Sequence, residues 1–259
     1  MTAPSPVRVP ILAQPDDYSC GPTSLHAVYT FHGLDLDLPR LIADVRTLKE
    51  GGTLAVFLGL DALARGFDVR LYSYNLRVFD PSWDGLPPEA LLEKLRAQLV
   101  AKRKRRLRES TKAYVRFLEA GGELRFHALS VRRIQEYFDA GLPVLCGLSS
   151  TYLYGTPREV EAEDGRMLYD DVRGTPQGHF VVLCGTSIGR ILIADPYQAN
   201  PISGDHYYEV DPDHLVRAIL LGVVTYDGNL MIVAPKGGLP ASPPRGPFVR
   251  GVTDPPGPS

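Results

Sequence analysis

Leu25, Val28 and Tyr29 recur at helical spacing and predict a helix over residues 21–32. Further helices are expected over 39–49 and 53–65, and a strand over 68–74, where apolar, β-branched and aromatic residues alternate. The next helical pattern opens with Pro-Pro-Glu and stops at Gly121-Gly122, the start and stop asymmetry of a long helix over 88–119. Past Gly122 the pattern changes. A helix over 130–140, with Ser130 as cap and Gly141 as stop, precedes a buried strand over 143–148. Residues 179–186 and 190–194 read as a hairpin turning at Ser187-Ile188-Gly189. A strand over 206–210, a helix capped by Asp211 with Pro212 at its first position, and a strand over 229–234 complete the pattern. Segment 151–177 has no apolar periodicity and is expected to be a lid or an irregular insert. Residues 236–259 are rich in proline and glycine and are expected to be a disordered tail. The pattern is thus one domain over 1–235, α+β in class, with a helical part at about 14–120 followed by an antiparallel sheet part at about 121–235.

Composition narrows the function classes. The chain of 259 residues is 44% apolar and 22% charged, enough for a core without covalent staples. Its formal net charge of −2 disfavours a general polyanion binder. The run Lys102–Arg108 is read as a solvated helix face, because it lacks aromatic interleaving, so a nucleic-acid partner is not expected. No apolar run reaches the roughly 18 residues of a membrane span, and the first residues lack the apolar segment of a secretory signal. Three cysteines argue against a disulfide framework and fit a reducing cytoplasm. No Cys/His spacing suggests a metal site, and no cofactor is expected.

Cys20 carries the chemistry. It stands where a loop becomes a helix, with Gly21 and Pro22 in the first turn. Free N–H groups and the positive end of the helix dipole favour the thiolate there. Gln14, six positions upstream, could donate to an oxyanion. Cys146 and Cys184 lie inside apolar strands and read as small core residues. A nucleophile needs a base and the base an orienting partner. Of six histidines, His179 stands out, because it follows Gly178 where a loop enters an apolar strand. His26 is more than a turn along the Cys20 helix and poorly placed. Asp195 ends the paired strand, so a hairpin puts it at the same open end as His179, able to accept from the imidazole. Gly178, Tyr152 and Tyr154 are the candidate substrate-binding positions, and Tyr169 could join them.

Three blocks in this order, Gln14 with Tyr18–Leu25, Gly178–Leu183 and Ile193–Pro196, resemble the papain-like cysteine peptidases. The likeness is greatest to the bacteriocin-leader-processing, double-glycine type and its stand-alone bacterial relatives. That resemblance implies a papain-like fold with Cys20 as nucleophile, His179 as base, Asp195 as orienter and Gln14 as oxyanion donor. It also implies a peptide or protein substrate. Ser19 departs from the pattern, since an acid commonly precedes the cysteine in those peptidases. The classical leader peptidases also precede a membrane-spanning export domain, and no segment of this sequence could span a bilayer, so the leader substrate does not carry over. Two other readings stay open: a papain-like acyltransferase or amidase with a non-water acceptor, and a peptide-binding module that does not cut.

Overall fold

The computed structural model describes residues 8–48, 52–126, 129–162, 166–226 and 228–241. The end of the helix expected over 39–49, His127, the N-terminus up to residue 7 and the tail beyond 241 lie outside the described residues. The chain begins with helices α1 (Cys20–Phe31), α2 (Leu38–Asp44) and α3 (Ala55–Ala64), then strand β1 (Asp68–Ser73). Helices α4 (Pro88–Ala101) and α5 (Arg105–Glu119) lead to β2 (Glu123–Arg125), α6 (Val131–Asp139) and β3 (Val144–Ser149). A short α7 (Ser150–Tyr154) and strands β4 (Glu159–Glu161) and β5 (Met167–Tyr169) follow. The last elements are β6 (Gly178–Ser187), β7 (Arg190–Ala194), β8 (Tyr207–Val210), α8 (Pro212–Leu221) and β9 (Asn229–Ala234).

Seven strands form one sheet in the order β2-β1-β9-β3-β6-β7-β8, antiparallel except for the β1–β2 pair. Alternation along each strand splits its apolar residues between two cores. Leu145, Phe180, Val182, Met231 and Val233 face α1, α3 and α5, whereas Val144, Cys146, Val181, Leu183, Leu230 and Ile232 face α6 and α8. Helix α1 is buried over ten of its twelve residues, as befits a helix packed between the sheet and its neighbours.

Four expectations are corrected. The sheet is not confined to the later part of the chain, because β1 enters it between β2 and β9. The helix expected over 88–119 is two helices, broken at 102–104. Continuing it would stack like charges turn upon turn, and the break lets Leu91 and Leu95 share a core with Leu107 and Phe117. Gln98 joins the two helices, donating to Thr111 Oγ1 at 3.1 Å. Segment 151–177 is not irregular, since it holds α7 and the β4–β5 hairpin. The first residues of the supposed tail are pinned: Lys236 pairs with Asp68 at 2.7 Å, and the Pro240 carbonyl accepts from buried Arg70 at 2.9 Å.

A bulge in the β6–β7 hairpin decides the face on which Asp195 emerges. From the turn, Ser187 faces Arg190 and Gly185 faces Leu192, but beyond Cys184 the register shifts by one, so that Leu183 faces Ile193 and Val182 faces Ala194. Extended one step, the shifted register sets Asp195 across from Val181, on the face His179 shares. Without the bulge, Asp195 would lie across from Val182 and point to the opposite face. Gly185 carries the distortion at φ 147°, a conformation costly for a side chain. Gly185→Val is expected to cost about 1–3 kcal/mol of stability. It should also abolish the His179–Asp195 contact, seen as loss of the low-field imidazole N–H proton resonance. A variant that keeps this resonance would show that the bulge does not set the register.

Candidate active site

The start of α1 and the open ends of β6 and β7 meet. Before α1, the Asp16 side chain accepts from Tyr18 N at 2.8 Å, and the Asp16 carbonyl accepts from Ser19 Oγ at 3.3 Å. These contacts turn the chain into the helix. Ser19 makes no side-chain cap and the first turn holds no acidic residue, so the positive end of α1 is left to Cys20. Gly21 is bare because a Cβ there would lie 2.5 Å from Thr53 Cγ2 and 3.2 Å from Phe180 Cδ2. Ser24 Oγ then donates to the Phe180 carbonyl at 3.0 Å, which fixes α1 against the residue after His179.

His179 Nε2 donates to Asp195 Oδ1 at 2.8 Å. Cys20 lies close enough for its charge to act on the imidazole and on Tyr154. Asp195 has no exposed surface. Its Oδ1 also accepts from Tyr197 N at 2.9 Å, and its Oδ2 accepts from the hydroxyls of Tyr154 at 2.8 Å and Tyr208 at 2.5 Å. His206 braces the same residue from behind: Asp195 N donates to the His206 carbonyl at 2.8 Å, and His206 Nδ1 donates back to the Asp195 carbonyl at 2.7 Å.

Burial alone would favour a neutral imidazole. The Asp195 charge, the Cys20 sulfur and hydrogen bonds to both outweigh it and push His179 up to about 10. Burial likewise opposes the Asp195 charge, but His179, Tyr208 and Tyr197 N together hold its carboxyl below the usual range. Tyr154 and Tyr208 are driven well above the ordinary phenol range, by burial first and then by the carboxylate they face, so they serve as donors. Burial pushes the Cys184 thiol up to about 12.

The remaining candidate residues are placed as follows from their contacts. Gln14 lies on a loop tied to the end of β7 by Gln14 N donating to the Pro196 carbonyl at 2.9 Å. Its Nε2 donates to the Asp16 carbonyl at 2.8 Å, and its Oε1 is buried without a partner. Gly178 opens β6 opposite Ser149. Tyr154 donates its hydroxyl to Asp195. Tyr152 stacks on His214 with ring centroids 4.9 Å apart. His26, His32 and His214 each bond a backbone carbonyl elsewhere. Cys146 and Cys184 are buried core thiols. Among the described residues no His, Cys, Asp and Glu side chains cluster to hold a metal, and no helix is long and apolar enough to cross a membrane.

Sequence reasoning missed Tyr208, His206 and the amide of Tyr197. A signal existed for the first, since the alternation of 207–210 puts Tyr208 on the Asp195 face once β8 is paired with β7.

No protein-family profile and no curated protein matches the chain. Solved structures do. A C39-like peptidase from Bacillus anthracis is similar at 15% identity and a TM-score of 0.43, over 89% of this chain and 98% of that one. The peptidase domain of Streptococcus ComA, a bi-functional ABC transporter of a quorum-sensing pathway, is similar at 14% identity and a TM-score of 0.43, over 88% of this chain and 99% of that one. A double-glycine-motif protease from an AMS/PCAT transporter, solved with a leader peptide, is similar at 16% identity and a TM-score of 0.39, over 89% of this chain and 94% of that one.

The raised His179 contributes stability that is complete below about pH 6.5 and is lost as pH rises toward 10. The lowered Asp195 contributes above about pH 4 and loses its contribution as pH falls through its folded value. Urea midpoints of the native chain should therefore decline from about pH 6.5 to about 10, and His179→Gln should lack that slope. Parallel profiles for the two proteins would refute the charged pair. Separately, Tyr208→Phe should cost about 1–3 kcal/mol at pH 7, because it takes a donor from a buried carboxylate.

Proposed function

We propose that this chain is a cysteine peptidase that cleaves a peptide or protein substrate through a Cys20–His179–Asp195 triad. One observation carries the reading: a fully buried carboxylate bonded to an imidazole on which the charge of a thiol at a helix start also acts. A core histidine serving only the fold would not need a buried acid on one side and a sulfur on the other.

In this mechanism the Cys20 sulfur, its proton held by His179, attacks the substrate carbonyl carbon. The tetrahedral oxyanion receives N–H bonds from the Cys20 backbone and from Gln14, whose amide must turn from Asp16 to do so. His179 then protonates the leaving amine as the C–N bond breaks, leaving a thioester. Water attacks the thioester with His179 as base, releasing the acid and restoring the thiol. Asp195 keeps its charge throughout and holds the imidazole in one tautomer. Tyr154 and Tyr208 keep that carboxylate from rotating, so the base does not wander. Where the acceptor is an amine instead of water, the same acyl-enzyme makes a transferase.

Iodoacetamide at a pH of about 5.5, with modification mapped by mass spectrometry, is the first check. Cys20 should be alkylated in preference to Cys146 and Cys184, and His179→Ala should slow it by about tenfold or more. A Cys20 that reacts no faster than the two core thiols, or reacts equally without His179, would leave a peptide-binding module as the better description.

A further inference from the structure

The basic run is solvated as expected, with residues 102–105 exposed, but it does not stand alone. Arg103, Arg105, Arg108, Lys112 and Arg116, joined by Arg46 from the loop after α2, line one cavity of about 360 Å³. Four of these recur at spacings of three and four along α5, so they form a single stripe. Like charges stacked in that way destabilise a helix, and three arginines in the first four residues of α5 also oppose its dipole. Helix α5 has no side-chain cap and no acidic residue in its first turn to offset this.

Some of these cations are held in place. Arg46 pairs with Glu109 at 2.5 Å, the single acid in the cavity, while its guanidinium lies over the Phe57 ring 4.7 Å from the centroid. Arg108 donates to the Leu99 and Lys102 carbonyls that end α4. Among the described residues Arg103, Lys112 and Arg116 have no carboxylate partner. The lining therefore pairs cations that are locked with cations that are available.

We propose that this cavity binds a compact, multiply charged phosphate anion. Five of the six cations are arginines, whose planar forks match phosphate oxygens two at a time. They converge from three segments of chain into a concave space, whereas a single-strand nucleic-acid track adds aromatic platforms, and no aromatic or apolar residue lines this cavity. The ligand therefore needs no apolar body. Its charge would replace the missing cap of α5 and relieve the stripe. This inference is independent of the peptidase reading, since none of its residues belongs to the triad.

Tripolyphosphate titrated into the full chain by calorimetry, with ionic strength matched by sodium chloride, tests it. The native protein should bind one equivalent saturably and gain thermal stability in proportion. Lys112→Glu with Arg116→Glu should weaken binding by about tenfold or more while leaving the unfolding midpoint without ligand unchanged or raised. Binding that is unaffected by the double variant, or that vanishes in the matched salt, would overturn the proposal. So would tighter binding of an oligoglutamate peptide or of a single-stranded oligonucleotide, which would make the cavity part of a polymer track.

Discussion

A carboxylate taken wholly out of water is costly unless its lone pairs are filled and its charge is met. Asp195 meets this requirement with four donors, drawn from β6, α7, β8 and the turn after β7. Each of those elements is thereby drawn to one point at the strand ends. The Gln14 loop is drawn there as well, through Pro196, and it is this loop that delivers the chain to Cys20. Local geometry at the site is thus a consequence of solvating one buried anion with protein groups. Removing any single donor leaves the rest of the shell facing an incompletely satisfied charge.

The site lies where the two cores of the sheet converge. Cys20 belongs to the core beneath the early helices, while the residues flanking His179 and Asp195 on their face belong to the core beneath α6 and α8. The position of the thiol relative to the imidazole therefore depends on the packing of α1 against β6, which rests on the absent Cβ of Gly21 and on the Ser24 bond to Phe180. Close-packed interiors transmit strain rather than absorb it. Small changes under α1 will be felt at the sulfur.

Much of the fold and site is legible in the sequence, and the limits are physical. Cys20 at a helix start follows from Gly21 and Pro22, and the nearness of His179 to Asp195 follows from a hairpin around Gly189. The face on which Asp195 emerges does not follow, because a straight register from the turn gives the wrong one and only the bulge at Cys184 and Gly185 corrects it. The bond from Tyr154 to Asp195 does not follow either, because sequence gives no direction to an aromatic side chain on a segment without a periodic pattern. The long helix over 88–119 fails for a related reason. Its apolar residues are periodic on both sides of the break, and no glycine or proline marks a join that is set by tertiary packing. The run Lys102–Arg108 shows its charge but not its concavity, which depends on Arg46 from more than 50 positions away.

Strand β9 occupies the middle of the sheet, between β1 and β3, although it is the last strand among the described residues. Synthesis along the chain thus produces Cys20 early and the strand that joins the two halves of the sheet late. Pairings across such sequence distances are slow to form, because chain entropy is lost before contacts compensate. A nascent chain emerging from the ribosome would hold its thiol in an unfinished fold, with no fixed imidazole opposite. The surroundings of the Cys20 thiol would then be complete only after the whole sheet has closed.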